Sequence, residues 1–411
     1  MAKKRKNKKR KQPLRPSQTQ KKKEFMHRLL RLAKAVGAED ALSWIPRQDL
    51  DRLFLMRCRA VRVEAADDNI PSRLLKAVRV QLDGTLNSSV VTLKEGCPDM
   101  VLKDYLSVAL TMYYYITGTD KFESTCPPIV REKFALFIEA IDGEKCSPMQ
   151  IVAETAALIG MDITRIHRRL YWFDHKMKHE GLHLFDCLYM HSVLPEKQKI
   201  NLSDGPRLAF RVGWAFANVG MKWPQVKGSD FGFNNQHAHK PVYVYIQAHA
   251  INRLKERLDV LTTSYIHFYL YRALVAPKIA KTESGQLLIE FHYRSKKLGY
   301  LAFELTGNKI VVKTFLFLTM DGTPEGEKLR KMLGIEAVDK KYLEIDRLST
   351  FVLTDIKDNP EVFDKFVQAG CADLFMLDNE ELNAIPRMEK ARMIQSYLSV
   401  PSQIQEIQEA Q

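Results

Sequence analysis

The residue types that could do chemistry are densest in a helix that is expected to follow the apolar strand at 242–246. This helix opens near Ala248 and carries His249, Arg253 and Arg257 at intervals of four residues, which a rotation of about 100° per residue brings to one face. A histidine can transfer a proton near neutral pH, and guanidinium groups can hold phosphate oxygens through paired hydrogen bonds. The spacing therefore predicts a site for a phosphodiester on this face.

The same face also has a plainer interpretation, because Glu256 lies on it. A carboxylate beside arginines can simply neutralise them and leave an exposed, salt-bridged helix surface. Ile251, Leu254 and Leu258 fall on the opposite face, where the pattern predicts burial against a sheet. Both interpretations predict the helix, and they differ in whether its polar face binds a substrate.

The net charge of +14 comes almost entirely from the N-terminal end of the 411-residue chain. Residues 1–23 contain twelve of the 63 lysines and arginines and no acidic residue, so the remainder carries 51 basic against 49 acidic side chains. Such a segment cannot bury enough apolar surface to fold alone, and it suits non-specific contact with RNA or DNA phosphates. A nuclear signal or a solubilising tail would have the same composition. The predicted contacts are Lys3, Lys4, Arg5, Lys6, Lys8, Lys9, Arg10 and Lys11.

The remaining composition excludes several classes of protein. We find no apolar run long enough to span a bilayer and no secretory signal pattern. The six cysteines are scattered without a Cys-x-x-Cys pair, which favours free thiols in a reducing compartment over disulfides or a cysteine–zinc site. We therefore expect a cytoplasmic protein with no membrane partner and no cofactor.

A second candidate for nucleic-acid contact lies at 147–170. The pattern predicts two helices joined at Gly160, with Ala156 four residues before the glycine and Ile166 six residues after it, which resembles a helix–turn–helix motif. The basic residues of the expected recognition helix are Arg165, Arg168 and Arg169. Many helical hairpins in ordinary bundles share this pattern, so DNA binding here is an alternative to the first site.

Three histidines follow at intervals of four residues, namely His175, His179 and His183. On a helix they would share one face, where they could bind a transition metal, although Gly181 weakens a helix between the last two. The segment lacks the His-Glu-x-x-His arrangement of zinc proteases. We predict a polar, partly exposed face and no metal site, while metal binding at these three positions stays open.

The order of predicted elements indicates an α+β fold, in which a helical N-terminal domain precedes a smaller α+β domain. In the smaller domain, the first helix is followed by a second at 263–276 and by strands at 286–293, 298–305 and 309–318. Gly307 predicts a hairpin turn between the last two strands, and Thr323 with Pro324 predicts the start of a further helix. We expect an antiparallel sheet of about three to five strands. The predicted parts are a disordered basic arm at 1–23, a helical domain at 24–200, a turn-rich connection at 201–240, the α+β domain at 241–356, and C-terminal helices with a frayed tail at 357–411.

The α+β domain also resembles a known family. It carries the pattern His-Ala-x-x-Arg-x-x-Glu-Arg from His249, then a second helix, then strands that end in Val-Val-Lys-Thr at 311–314. Over about 242–319 this arrangement resembles the RelE-like and barnase/EndoU-like group of small bacterial ribonuclease toxins, especially its His-Ala…Arg…Glu-Arg branch. The resemblance implies a cytoplasmic endoribonuclease that works without a metal.

The resemblance also implies a role for each candidate catalytic residue. His249 would be the general base or acid, Arg253 and Arg257 would hold the scissile phosphate, and Thr314 would line the site from the sheet. The leading hypothesis is therefore an RNA-acting protein with a RelE-like nuclease domain. The alternatives are a DNA-binding protein that uses the hairpin at 147–170, and a non-catalytic interaction protein whose partner the sequence does not identify.

Overall fold

The fold is α+β and combines helices with sheets along the chain. The structure, a computed structural model, describes residues 17–93, 96, 98–118, 126–143, 148–180, 183–216, 219–232, 239–377 and 390–399. Internal contacts divide the chain into two compact units. Unit 1 comprises Met1–Ala156 and Asp174–Met190, and unit 2 comprises Ala157–Phe173 and His191–Gln411. Within the described ranges, none of the helices combines the length and the apolar character that a membrane crossing needs.

Unit 1 contains helices and a short sheet, and its last helix and two of its strands continue past the unit boundaries. The helices up to the boundary with unit 2 are α1 (Gln18–Ala35), α2 (Arg47–Met56), α3 (Ser72–Ser88), α4 (Leu102–Thr117), α5 (Pro128–Lys133), α6 (Ala135–Asp142) and α7 (Pro148–Ile163). The strands are β1 (Cys58–Ala65), β2 (Val90–Val91), β3 (Met100–Val101), β4 (Leu170–Glu180) and β5 (His183–Val193). The sheet has the order β1-β5-β4, with β1 parallel to β5, and β2 pairs with β3. Apolar residues cover most of α4, which is therefore buried on nearly all sides.

Two predictions for this part of the chain are wrong. Residues 170–180 and 183–193, which were expected to continue the helical domain, form strands. Helix α1 begins at Gln18, where Ser17 accepts a hydrogen bond from the Gln20 backbone N–H, so 18–23 is helical and not a disordered arm. The predicted arm contacts from Lys3 to Lys11 lie outside the described residues.

A mixed sheet forms the centre of unit 2. Its strands are β6 (Lys197–Leu202), β7 (Gly205–Arg211), β10 (Gln225–Lys227), β11 (Pro241–Gln247), β12 (Ile279–Lys281), β13 (Leu287–Tyr293), β14 (Lys296–Thr306) and β15 (Lys309–Phe317), and β8 (Trp214–Phe216) pairs separately with β9 (Gly220–Lys222). The helices are α8 (Ala248–Arg257), α9 (Thr263–Val275), α10 (Pro324–Leu333), α11 (Ala337–Tyr342), α12 (Leu348–Val352), α13 (Pro360–Ala369) and α14 (Ala391–Ser399). Short 3₁₀ segments occur at Glu39–Trp44, Gly228–Phe231, Ile356–Asp358 and Ala372–Phe375.

The sheet differs in size and direction from the one expected. Among the described residues it has eight strands in the order β12-β13-β14-β15-β11-β7-β6, with β10 also paired to β11, and β11 runs parallel to β15. The prediction of three to five antiparallel strands is therefore wrong. The extra strands come mainly from the expected connection, whose turn residues close short hairpins. Gly205 at φ +100°, for example, follows the tight turn between β6 and β7.

Several local predictions in unit 2 are confirmed. The strand β11, the helices α8 and α9, and the meander of β13, β14 and β15 lie close to their expected positions. Gly307 adopts φ +58° in the turn between β14 and β15. Thr323 caps α10 by accepting a hydrogen bond from Gly326 N–H, with Pro324 in the first turn. Part of the predicted C-terminal helix, 378–389, lies outside the described residues.

Candidate nucleic-acid interface

Helix α8 starts directly where strand β11 ends, and its buried side holds it on the sheet. Ala250, Ile251 and Leu254 are buried in the same core cluster as Val312 of β15. His249 is exposed at the N-terminal end of the helix. The junction of β11 and α8 therefore presents His249 to solvent while the helix itself is fixed.

Arg253 lies one turn after His249 on the same side of α8 and is already engaged by a carboxylate. Its Nη1 donates to Glu256 Oε2 at 2.6 Å, and both side chains are more than one-third exposed. For Arg253, the structure therefore shows the exposed, salt-bridged helix surface and not a free guanidinium group. A phosphate that bound there would have to compete with Glu256.

Arg257, in contrast, is buried, so its assignment to the exposed face is wrong. Its Nη1 donates to the Phe315 carbonyl oxygen at 2.6 Å, and burial lowers the pKa of its guanidinium group. Strand β15 pairs with β11 only as far as Val312. The Phe315 carbonyl lies beyond this pairing and accepts its hydrogen bond from Arg257. At 100° per residue, Arg257 lies beside Ala250 at the border between the polar and the apolar face of α8. The helical pattern therefore cannot predict whether Arg257 is exposed or buried.

Thr314 faces away from α8 because strand β15 contains a bulge. The register to β14 shifts between the pairs Ala302–Thr314 and Phe303–Val312, so Lys313 is an extra residue. Val312 and Phe315 consequently both lie in the core cluster that contains α8. Since neighbouring strand residues point to opposite faces, Thr314 lies on the other side of the sheet. The structure thus does not bring the four predicted catalytic residues together.

We expect Arg257→Met to lower the free energy of unfolding by about 1–3 kcal/mol, because it leaves the buried Phe315 carbonyl without its donor. RNA binding should not change. Urea unfolding measures the effect, with Arg253→Met as the control that breaks an exposed ion pair and should cost less than about 1 kcal/mol. If the two variants are equally stable, the structural role of Arg257 is refuted.

The expected helix–turn–helix motif is absent from the described segment. Helix α7 continues through Gly160 to Ile163, and 164–169 forms a turn that is closed by reciprocal backbone hydrogen bonds of 2.9 Å between Arg165 and Arg169. Strand β4 follows, because the run Leu-Tyr-Trp-Phe at 170–173 favours a strand over a helix. Gly160 thus lies inside the helix and makes no turn, and a Cβ there would meet the Tyr171 carbonyl oxygen at 3.4 Å, close to an ordinary contact distance. DNA binding through a recognition helix therefore loses its structural basis.

The turn nevertheless keeps two of its arginines at the surface. Arg165 and Arg168 are exposed, whereas Arg169 Nη1 donates to Ser192 Oγ at 3.0 Å. Arg165 Nη1 donates to the backbone carbonyls of Asp162 and Thr164, at 2.7 and 2.9 Å. These carbonyls hold the guanidinium group in place without neutralising its charge.

The turn lies close to α8, which adds a third cation. Lys255 is half-buried, and its pKa is lowered by burial and by the positive charge of Arg165. Within the ranges that the structure describes, Arg165, Arg168 and Lys255 form no ion pair with a carboxylate. We call these three residues the basic surface. Their mutual repulsion is unfavourable in the free protein and would be relieved by a bound polyanion.

Two histidines beside the basic surface carry buried nitrogens. Burial and the charges of Arg168, Lys255 and Arg165 lower the pKa of His167. His267 of α9 is almost fully buried, and burial together with Lys255 and Arg165 lowers its pKa to about 3. The atoms His167 Nδ1 and His267 Nε2 have no hydrogen-bond partner among the described residues. This arrangement leaves little signal in the sequence, since Lys255 borders the apolar face of α8 and lies 90 residues after Arg165.

His175, His179 and His183 lie on strands β4 and β5, so the prediction that they share a helix face is wrong. His175 on β4 places Nε2 3.0 Å from Asp186 Oδ1 of β5, and both side chains are almost completely buried. The side chains of His179 and His183 lie outside the described ones. Elsewhere in the described chain there is no group of three or more His, Cys, Asp or Glu residues that could hold a metal ion.

Comparisons with protein-family models, with curated proteins and with solved structures found no match. The resemblance to ribonuclease toxins therefore stays a hypothesis. What the residues around α8 offer is a set of cations without carboxylate partners and, next to it on the same helix, one exposed histidine.

Proposed function

We propose that this protein binds RNA through the basic surface of unit 2, formed by Arg165 and Arg168 from the turn and Lys255 from α8. The observation that carries the proposal is that these cations are neighbours without a carboxylate partner in the described chain, and that one of them is half-buried. Phosphate groups supply the missing negative charge, and their binding releases counterions. The basic segment at 1–16 adds seven lysines and arginines from 3 to 10, Lys11 and Arg15 to the same interaction.

RNA is preferred to DNA because the α+β part resembles ribonuclease toxins. That resemblance rests on the order of strand β11, helices α8 and α9, and the meander β13 to β15. Contacts with phosphates alone do not distinguish RNA from DNA, so other residues of the protein must recognise the 2′-hydroxyl. The proposal places the protein among cytoplasmic, nucleic-acid-associated proteins.

We expect the triple variant Arg165→Gln, Arg168→Gln, Lys255→Gln to bind single-stranded RNA about 100-fold more weakly at 0.1 M salt. Each lost phosphate contact should also lower the magnitude of the slope of log K against log salt by about 0.7, or about 2 in all. Fluorescence anisotropy of a labelled oligonucleotide at several salt concentrations measures both quantities. DNA of the same sequence tests the preference for RNA.

A matched control removes the same charge from another helix of unit 2. The substitutions Lys328→Gln, Arg330→Gln and Lys331→Gln on α10 lower the net charge by three, but Arg330 and Lys331 are neutralised by ion pairs in the wild type. We expect a much smaller loss of affinity for this control. Equal losses in the two triple variants would show that only net charge matters, and would refute the basic surface.

A second candidate function, cleavage of the bound RNA without a metal, is favoured by the exposed position of His249. This histidine stands on the helix that carries Lys255, and Arg253 follows it one turn later. Because Arg257 is buried and Thr314 lies across the sheet, His249 would act with Arg253 alone. The cleavage would therefore be slow, and it depends on whether a phosphate can displace Glu256 from Arg253.

A further inference from the structure

A group of aromatic rings lies at the surface of unit 2, where β8 meets α9. Trp214 stacks on Tyr271 with ring centroids 4.9 Å apart, and it contacts Phe268 at 5.9 Å. Phe216 meets the edge of Tyr271 at 6.1 Å. Phe216 and Phe268 are 37% and 38% exposed, so part of each ring faces solvent. The exposed rings thus continue a packed aromatic cluster out to solvent.

This aromatic patch adjoins the basic surface. Thr164, which precedes Arg165, lines a cavity of about 20 Å³ together with Trp214, His267 and Tyr271. The pKa of His267, which directly precedes Phe268 on α9, is lowered by burial and by the charges of Lys255 and Arg165. The turn that carries Arg165 and Arg168 and the elements that carry the rings therefore line the same cavity.

One further cation lies within the patch itself. The guanidinium carbon of Arg272 is 6.0 Å from the centre of the Phe268 ring, and Arg272 is exposed. In the described part of the chain it forms no ion pair with a carboxylate. A cation beside exposed aromatic rings is the combination by which proteins hold single-stranded nucleic acids, since the rings stack on bases and the cation contacts phosphates.

We propose that Phe216, Phe268 and Tyr271 form a platform on which unpaired bases of RNA stack while its phosphates lie on the basic surface. This inference rests on the proposed function and adds the class of substrate, a single strand. In a duplex the base faces are covered by their neighbours, so only unpaired bases can reach the rings. A protein partner without acidic side chains would match the apolar rings but would leave Arg165, Arg168, Lys255 and Arg272 without counter-charges.

The test compares the double variant Phe216→Leu, Phe268→Leu with the wild type, using a labelled 12-nucleotide uridine strand and an RNA duplex of the same length. Leucine keeps the site apolar but removes the flat faces. We expect a loss of single-strand affinity of about tenfold or more, with an unchanged salt slope and an unchanged duplex affinity. Tyr342→Leu removes an aromatic ring that is 67% exposed on α11 and should leave all three quantities unchanged.

The outcomes separate this inference from the proposed function. If the double variant binds the single strand like the wild type while the triple glutamine variant binds weakly, the platform is refuted and the basic surface stands. If the wild type binds neither RNA, both fail. Equal losses for single strand and duplex also refute the platform. The single variant Phe268→Leu, with its thermal unfolding midpoint measured, provides the same comparison if the double variant fails to fold.

Discussion

Replacement of Lys297 by methionine is expected to lower the free energy of unfolding by about 3 kcal/mol. Lys297 Nζ lies 2.7 Å from Glu325 Oε1 and donates to the Tyr300 hydroxyl at 3.0 Å. That hydroxyl directs its one proton at the Glu325 carboxylate, whose oxygens lie 3.1 and 3.0 Å away. Tyr300 and Glu325 are buried, while Lys297 keeps about a fifth of its side chain exposed. Removal of the cation leaves a buried carboxylate without its counter-charge, which typically costs 3–5 kcal/mol.

The network has a structural role, because it joins strand β14 to the first turn of helix α10. Urea unfolding followed by tryptophan fluorescence measures the loss. Lys331→Met is the matched control, since its ion pair with Glu283 is largely exposed and should contribute less than about 1 kcal/mol. The double variant Lys297→Met, Glu325→Gln should regain part of the loss, because neither charge is then left unpaired. Equal stability of Lys297→Met and Lys331→Met would contradict the assigned role.

The same network predicts how the stability depends on pH. Burial disfavours the charge on Lys297, but its hydrogen bonds to Glu325 and Tyr300 outweigh burial and raise its pKa, while burial and Glu325 raise the pKa of Tyr300. Both groups therefore bind their protons more tightly in the folded protein. Their contribution to stability is complete below about pH 10 and decreases as the pH rises further, because the unfolded chain releases these protons first.

Local patterns predicted the elements that depend on near neighbours in the chain. Thr323 and Pro324 predict the start of α10, and Gly307 predicts the hairpin between β14 and β15. Pairings between distant segments could not be predicted in this way. Strand β1 pairs with β5 across more than 120 residues, and the local pattern alone predicts helix for β4 and β5 because it does not show their partners.

The candidate site shows the same limit. His249 and Arg253 lie on the polar face of α8, as the helical pattern predicts. Arg257 lies at the border between the polar and apolar faces, and its side chain points inward. A single extra residue, Lys313, moved Thr314 to the other face of the sheet, and a bulge leaves no clear signal in the alternation. Lys255 approaches Arg165 only through the packing of α8 beside the turn. The basic surface is thus a property of the fold and not of any one motif.

If the protein cleaves RNA, His249→Ala is expected to lower the rate by a factor of about 10² to 10⁴, the usual loss when a proton-transfer group is removed. In this reaction His249 takes the proton from a 2′-hydroxyl as that oxygen attacks the adjacent phosphorus. The bond to the 5′-oxygen then breaks, that oxygen takes a proton from solvent, and a 2′,3′-cyclic phosphate remains. Arg253 stabilises the charge that develops on the phosphate.

The measurement is a time course on labelled single-stranded RNA with EDTA present, in which the products are examined for cyclic phosphate ends. His27→Ala is the matched control, since His27 is an exposed histidine on helix α1 of unit 1. Binding by His249→Ala should equal that of the wild type, because His249 is not part of the basic surface. Glu256→Gln should raise the rate, since it frees Arg253 from the ion pair at 2.6 Å.

These variants distinguish a nuclease from a protein that only binds RNA. A contaminating ribonuclease would act equally in all four preparations, and an RNA-binding protein without catalysis would leave the RNA intact in all of them. Either result removes cleavage from the proposed function without affecting the basic surface. A lower cleavage rate of His249→Ala together with a higher rate of Glu256→Gln would instead show that the exposed face of α8 is a catalytic site. If His249 had only a structural role, removal of the Glu256 charge would not raise the rate.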